Sequence, residues 1–277
     1  MNLAVSMWCY VRAVQAGQMD ILGFVNEAKR IGADGVELLD FFYKDPASER
    51  PIVKAELEKI GMPCGVFSVA NNFAKIIEAD RRAQVDRIKF GVDEAVFYGA
   101  KVVRVFAGDV SEGITYEQVR EWIVEGLTEA ANYAHSKGIK LALENHGKLA
   151  GRGDQVVGIV RDVRSRCGHD AMGANPDTGN FVLVDQDSVE AITQIGNLAY
   201  MCHFKDFVEG EGVYSSLAGK TFAGTVIGQG QVDLRACVAA LRNAGFDGWC
   251  SLEYEGTGDP ITEVAQSIEA ARAILFP

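Results

Sequence analysis

Positive charge is the scarcer sign in this chain, where 27 Lys and Arg stand against 38 Asp and Glu for a net charge of −11 over 277 residues. Nucleic-acid binding draws its non-specific affinity from clustered cations, so the balance excludes a phosphate-backbone partner as an expectation and favours small molecules. Cysteine is sparse and scattered: Cys9, Cys64, Cys167, Cys202, Cys237 and Cys250 form no C-x-x-C pair and no dense framework, and they read as buried thiols in a reducing cytosol. No apolar run approaches the about 20 residues of a membrane span, so no membrane partner is expected. Met1 to Tyr10 lacks a cationic n-region and a long apolar h-region, so the expected location is cytoplasmic.

What is abundant is a repeated unit. A helical segment, a Gly and a short apolar strand recur as Arg30-Ile31-Gly32 before Gly35-Val36-Glu37-Leu38-Leu39, Lys59-Ile60-Gly61 before Cys64-Gly65-Val66-Phe67, and Phe97-Tyr98-Gly99 before Val102-Val103-Arg104-Val105-Phe106. The same order continues at Gly138, Gly168, Gly196 and Gly245, before strands near 140–146, 171–177, 198–205 and 248–255. Gly ends a helix by taking the left-handed C′ conformation without a Cβ clash, which frees the chain to turn into a strand. With the opening strand from Leu3 to Met7 the count is eight, and the 3.6-residue period is plain in Tyr116 to Lys137 and Ile261 to Leu275.

Strict alternation with parallel crossovers leaves a doubly wound sheet or a closed barrel. Eight units, and the lack of a Gly-rich phosphate loop after the first strand, favour one α/β domain over residues 1–277, a single (β/α)8 TIM barrel. The longest departure from the rhythm, Val208 to Gly230, precedes a helix expected near Val232 and carries Gly-Glu-Gly and Gly-Gln-Gly. It is expected to be a lid loop over the barrel mouth.

In a barrel the active groups lie at the carboxyl ends of the strands, and inward-facing residues alternate. The fifth strand ends Leu141-Ala142-Leu143-Glu144-Asn145-His146, with Glu144 and His146 on one face, and the sixth brings Asn175 and Asp177 inward together. The seventh ends His203-Phe204-Lys205-Asp206 and the eighth Ser251-Leu252-Glu253-Tyr254-Glu255. Taken singly, a strand-end Glu is a solvated carboxylate and a lone His is structural. Four ionisable residues at successive strand ends would repel one another unless they shared a cation. Glu144, Asp177, His203 and Glu253 are therefore the expected ligands of one divalent metal ion, with Mn2+ first and Mg2+, Co2+ or Zn2+ also suited to the donor set. His135 and His169 lie in helix-terminal segments and are expected to be structural, and the acidic run from Glu117 to Glu129 reads as a solvated helix face.

These segments, with Pro176-Asp177-Thr178-Gly179-Asn180 and Gly228-Gln229-Gly230-Gln231-Val232-Asp233, resemble the xylose isomerase-like barrels of the sugar phosphate isomerase/epimerase superfamily, along essentially the whole chain. That group includes ketose 3-epimerases, hydroxypyruvate isomerases and inosose dehydratases. The resemblance implies that Glu144 and Glu253 are catalytic as well as metal-binding, acting as an acid/base pair that moves a proton α to a carbonyl through a cis-enediolate. It departs from the ketose 3-epimerases, which carry an acidic residue and a His where Ala150 and Asn180 stand here.

The leading expectation is thus a metal-dependent sugar isomerase or epimerase acting on a small-molecule carbohydrate substrate. The alternative is a lyase of 3-oxo sugars or glycosides working by β-elimination, C-glycoside deglycosylation included, with His146 as its base. Substrate contacts are expected from Trp8, Glu37, Asn71, Phe106, Lys148, Asn180 and Lys205, whereas Arg152 reads more simply as a surface cation. An endonuclease of the apurinic-site type would need a His-rich multi-metal cluster and a basic groove, against only four histidines here. A non-catalytic sugar-binding barrel is the third reading. By analogy with such barrels, a homo-oligomer or a partner subunit is the assembly to look for.

Overall fold

A computed structural model describes residues 1–110 and 113–277. Strands β1 (Asn2–Ser6), β2 (Gly35–Leu39), β3 (Cys64–Ser68), β4 (Val102–Val105), β5 (Lys140–Glu144), β6 (Met172–Asn175), β7 (Met201–Phe204) and β10 (Trp249–Leu252) form one eight-stranded sheet. Its order is β6-β5-β4-β3-β2-β1-β10-β7, with parallel pairing throughout. The ring closes between β6 and β7 through the isolated bridges Ala174 to Ala199 and Asp177 to His203. Pro176 lies at this seam and has no N–H to give to a ladder, but its carbonyl accepts from the His203 amide at 3.2 Å while the Thr178 amide donates to the His203 carbonyl at 3.0 Å. The architecture is the expected (β/α)8 barrel.

The helices end largely as the glycine pattern predicts. Gly61 (φ 62°) and Gly99 (φ 82°) take the left-handed position that closes helices Pro46–Ile60 and Glu78–Tyr98. Gly196 differs: at φ −57° it stays right-handed and continues into a short 3-10 turn, Gly196–Leu198, before β7.

Core packing is two-layered. Strand residues and the inner helix faces share one apolar cluster, while Val66, Val102, Ala142 and Met201 form a second, against which Tyr200 and Trp249 pack. Trp249 lies where side chains at two glycines would be, since a Cβ on Gly65 would approach its ring to 2.5 Å and one on Gly35 to 2.8 Å.

The segment expected as a lid loop is more ordered than predicted. Strands β8 (Phe207–Ser215) and β9 (Thr221–Gly224) pair as an antiparallel hairpin, and the following helix starts at Leu234, capped by Asp233. The link between them is tied down by Asp206, whose carboxylate accepts from the backbone amides of Phe207 (3.0 Å), Gly228 (3.0 Å), Gly230 (2.9 Å) and Val232 (3.2 Å). The glycines of Gly228-Gln229-Gly230 thus serve close approach: a Cβ on Gly230 would meet Asp206 Oδ1 at 2.1 Å. Among the described residues no helix is long and apolar enough to cross a membrane.

Candidate metal centre and active site

Glu144 ends β5, Asp177 follows β6 by two residues, His203 lies within β7, and Glu253 follows β10. Their side chains meet at the carboxyl end of the barrel, each offering one ligand atom, all within 4.8 Å of one another, and all four residues are buried. His203 Nδ1 is central, 3.1 Å from Glu144 Oε2, 3.6 Å from Glu253 Oε2 and 3.8 Å from Asp177 Oδ2.

Each candidate ligand is held by its own local chemistry. Asn145 clasps the backbone of Asp177, accepting from its amide at 2.6 Å and donating to its carbonyl at 3.2 Å. Asp177 Oδ1 in turn accepts from the amides of Gly179 and Asn180, both at 2.9 Å, which leaves Oδ2 free to face the centre. Asn175 and Asn180 donate to the two oxygens of Glu144 at 3.1 and 3.2 Å, and Arg104 Nε approaches Oε2 at 3.3 Å. Behind His203, both oxygens of Glu37 lie 3.1 to 3.2 Å from Nε2.

Charge is concentrated here out of reach of water. Burial pushes the Asp177 and Glu253 carboxyls above the usual range, and repulsion from Glu144 adds to it. Glu144 is driven the other way: burial raises it, but His203 and Arg104 outweigh that and hold it below the usual range. Lys205, whose burial alone would favour the neutral amine, is held cationic by Asp177, Glu253 and Glu255.

Two buried atoms that face the centre, Asp177 Oδ2 and His203 Nδ1, have no hydrogen-bond partner. Lys205 Nζ lies 3.1 Å from the first as an ion pair, and a carboxylate and imidazole donor set around such atoms fits a hard or borderline divalent cation.

Comparison with known proteins bears on this arrangement. The xylose isomerase-like TIM barrel family matches residues 25–274. This chain belongs to that family. An inosose dehydratase of Lacticaseibacillus casei is 27% identical over 144 residues, covering 49% of this chain and 47% of that protein, so the chain spans about half the length of the curated relatives it matches. Among solved structures, the IolI protein with a binding zinc atom superposes with a TM-score of 0.79 at 17% identity, covering 99% of this chain and 98% of that one. D-psicose 3-epimerase with D-tagatose, from Clostridium cellulolyticum H10, gives 0.78 at 16% identity and covers 99% of each chain.

Beyond the four candidate ligands, the expected site residues divide into two groups. Asn180 and Lys205 lie at the centre: Lys205 Nζ stands 2.6 Å from Glu253, 3.1 Å from Asp177, and 3.3 Å from both Glu255 and Asn180. His146 lies at the mouth, its ring 4.1 Å from that of Phe106 and its Nδ1 3.5 Å from Asp109; burial lowers its basicity, but Asp109 and Glu144 more than restore it. Trp8 donates to Glu255 at 2.7 Å and meets Phe41 edge-on.

Three residues expected to contact substrate are engaged within the protein. Glu37 is fully buried and its carboxylate is committed to His203, Ser68 and Ser251. Asn71 is committed to the backbone of Phe106, accepting at 2.9 Å and donating at 2.6 Å. Lys148 reaches the hairpin instead, donating to Ser215 Oγ at 3.2 Å and the Ser216 carbonyl at 3.3 Å. Arg152 pairs with Asp154 at 3.0 Å beside its helix start, and His135 and His169 stack on each other 4.0 Å apart, as structural residues would.

Sequence reasoning passed over Arg104, Asp109 and Glu255. Arg104 had a signal: it is a lone cation in the apolar strand Val102–Val105, and a charge there must find a buried partner. Asp109 sits four residues beyond the end of β4, where strand alternation no longer applies.

Proposed function

We propose that this protein is a divalent-metal-dependent sugar isomerase or epimerase that moves a proton α to a carbonyl. The observation that carries this reading is the convergence of Glu144, Asp177, His203 and Glu253, two of whose carboxylates are available as bases beside the same point. Glu144, Asp177, His203 and Glu253 would hold the ion, with Mn2+ proposed for a set of three carboxylates and one imidazole, and Zn2+ the ion named with the IolI structure. When bound, such an ion supplies Lewis-acid stabilisation for negative charge developing on a carbonyl oxygen.

The protein's own groups then have definite tasks. One of Glu144 and Glu253 takes the proton from the carbon next to the carbonyl, and the bonding pair moves toward oxygen to give an enediolate. The other returns a proton, to the opposite face of the same carbon in epimerisation or to the neighbouring carbon in isomerisation. Asn180 and Lys205 orient hydroxyl groups, Trp8 and Phe106 supply the apolar wall, and the β8–β9 hairpin serves as the lid that excludes water.

The substrate we propose is an uncharged keto sugar. Among the described residues near the mouth, Lys205 faces three carboxylates, Arg104 faces Glu144 and Arg152 faces Asp154, while Lys148 is taken up by the hairpin oxygens of Ser215 and Ser216, an arrangement that favours a neutral sugar over a phosphate.

A second reading is favoured by the inosose dehydratase relative and by His146 beside Asp109. In this lyase the same proton is removed, but the electron pair expels an oxygen on the β carbon, which leaves with a proton from His146 or Lys205.

Incubation of the Mn2+-loaded protein with neutral keto sugars in deuterated water tests both. Isomerisation or epimerisation returns sugar labelled at carbon, elimination releases water or an aglycone with an unsaturated product, and a sugar that gains no label and loses no group sinks both.

A further inference from the structure

We propose that Glu37 is a positioning residue for the metal centre: it fixes His203 in the Nε2–H tautomer and ring orientation that turn the Nδ1 lone pair toward the ion. Glu37 lies on β2, across the barrel interior from β7, 166 residues from His203 in sequence. It has no exposed surface, and neither have Ser68, His203 or Ser251.

Each oxygen of its carboxylate accepts from a serine hydroxyl, and the imidazole of His203 faces both. Ser68 donates to Oε1, Ser251 donates to Oε2 at 2.5 Å, and His203 Nε2 lies 3.2 and 3.1 Å from the two oxygens. An isolated buried carboxylate is too costly to keep, and a serine hydroxyl donating to each oxygen supports the ionised form, which is an acceptor only. An acceptor-only partner requires the proton on Nε2. The consequence falls on the other nitrogen: Nδ1, 3.1 Å from Glu144 Oε2 and without a hydrogen-bond partner, is the atom left to donate a lone pair. Ser251 is cross-strand neighbour to His203, so β10 also sets the height of the carboxylate against the imidazole.

A histidine ligand oriented by a carboxylate through its second nitrogen gains basicity as well as geometry, and loss of such a partner weakens metal binding 10- to 100-fold as an order of magnitude. Glu37→Gln keeps the shape but brings an amide that can donate to Nε2, which would move the proton to Nδ1 and block the ligand atom. Glu37→Asp keeps the charge one methylene further back.

This inference rests on the metal-site reading, and calorimetric titration of the metal-free protein with Zn2+ separates the two. Native protein that takes up no Zn2+ overturns the site itself. Native protein that binds one equivalent, with Glu37→Gln weaker by about 10- to 100-fold and Glu37→Asp between the two, supports the role of Glu37. Equal affinities for native protein and Glu37→Gln overturn that role alone. Should Glu37→Gln fail to fold, a long-range 1H–15N spectrum of the native Zn2+-loaded protein decides. A His203 signal with its proton on Nε2 and the metal on Nδ1 supports the assignment, and the reverse pattern overturns it.

Discussion

The ammonium of Lys205 lies 2.6 Å from Glu253 Oε2, closer to that carboxylate than His203 is. A side-chain cation therefore faces the carboxylates that would hold an ion, and it offsets part of their repulsion when no ion is there. Replacing one partner of a buried ion pair leaves the other uncompensated, at a cost of about 3–5 kcal/mol. Lys205→Met should accordingly lower the stability of the metal-free protein by about that amount in urea unfolding with a chelator present. Added Mn2+ should stabilise the variant more than the native protein, because it supplies the missing charge. Equal urea midpoints for the two metal-free proteins would show that Lys205 does not balance this cluster.

Asp177 divides its oxygens between two tasks, Oδ1 for the amides of Gly179 and Asn180 and Oδ2 for the centre. Asp177→Asn keeps an oxygen for the turn but presents an NH2 group, or a neutral oxygen, to the ion. We expect a folded protein with less than stoichiometric metal, and catalysis reduced by more than the 10- to 100-fold that loss of an outer-shell partner causes. Elemental analysis of the purified variant checks the first outcome, and full metal loading would remove Asp177 from the ligand set.

The four candidate ligands were legible because each sits at or near the carboxyl end of a strand whose alternation can be read from its own neighbours. Glu37 and Arg104 could be seen only as charges inside the apolar strands Gly35–Leu39 and Val102–Val105. The partner of Glu37 depends on closure of the ring, which brings β2 to His203, and that of Arg104 on the pairing of β4 with β5, which brings it to Glu144. The hairpin was hidden for a different reason. Strand β8 is exposed along most of its length and its register shifts between Glu209 and Tyr214, so no apolar alternation marks it. Gly196 carried the same helix-Gly-strand signature as its counterparts, but the 3-10 turn that follows absorbed the change of direction.

Lys148, which reaches Ser215 and Ser216 from the loop after β5, helps to hold the hairpin to the barrel beside the bonds of Leu217 to Leu183 and Ala218 to Asp185. Solvent-accessible hydrogen bonds of this kind contribute about 0.5–1.5 kcal/mol each. Lys148→Ala should therefore speed amide exchange in residues 207–224 by about 2- to 10-fold while leaving exchange in the barrel strands unchanged. If the hairpin is the lid, KM should rise with it, and unchanged exchange would show that Lys148 does not restrain it.

His146 stands between Phe106 and Asp109, outside the ligand set. This placement separates the two fates of the enediolate. If His146 delivers a proton to a leaving group, His146→Gln should lose about 10²- to 10⁴-fold in product release and still exchange the α hydrogen with deuterated solvent. If the protein only relocates the proton between Glu144 and Glu253, product formation and exchange should fall together or not at all. Isotope exchange and product appearance, measured on one sample, distinguish these cases.

Gly65 and Gly158 predict opposite signs for the same substitution. A Cβ on Gly65 would stand 2.5 Å from the Trp249 ring, which packs over both Gly65 and Gly35. Overpacking of this kind costs about 1–3 kcal/mol, so Gly65→Ala should unfold at lower urea. Trimming the ring in Gly65→Ala/Trp249→Leu should cost less than the sum of the single changes, since the second removes what the first collides with. Gly158 lies within helix Gly153–Cys167, and its Cβ would find only the end of the Arg120 side chain at 3.8 Å. There Ala restricts the unfolded chain and favours the helix, for a gain of up to about 1 kcal/mol. Equal effects at the two positions would mean that helix propensity and chain entropy, rather than the Trp249 contact, govern glycine replacement in this barrel.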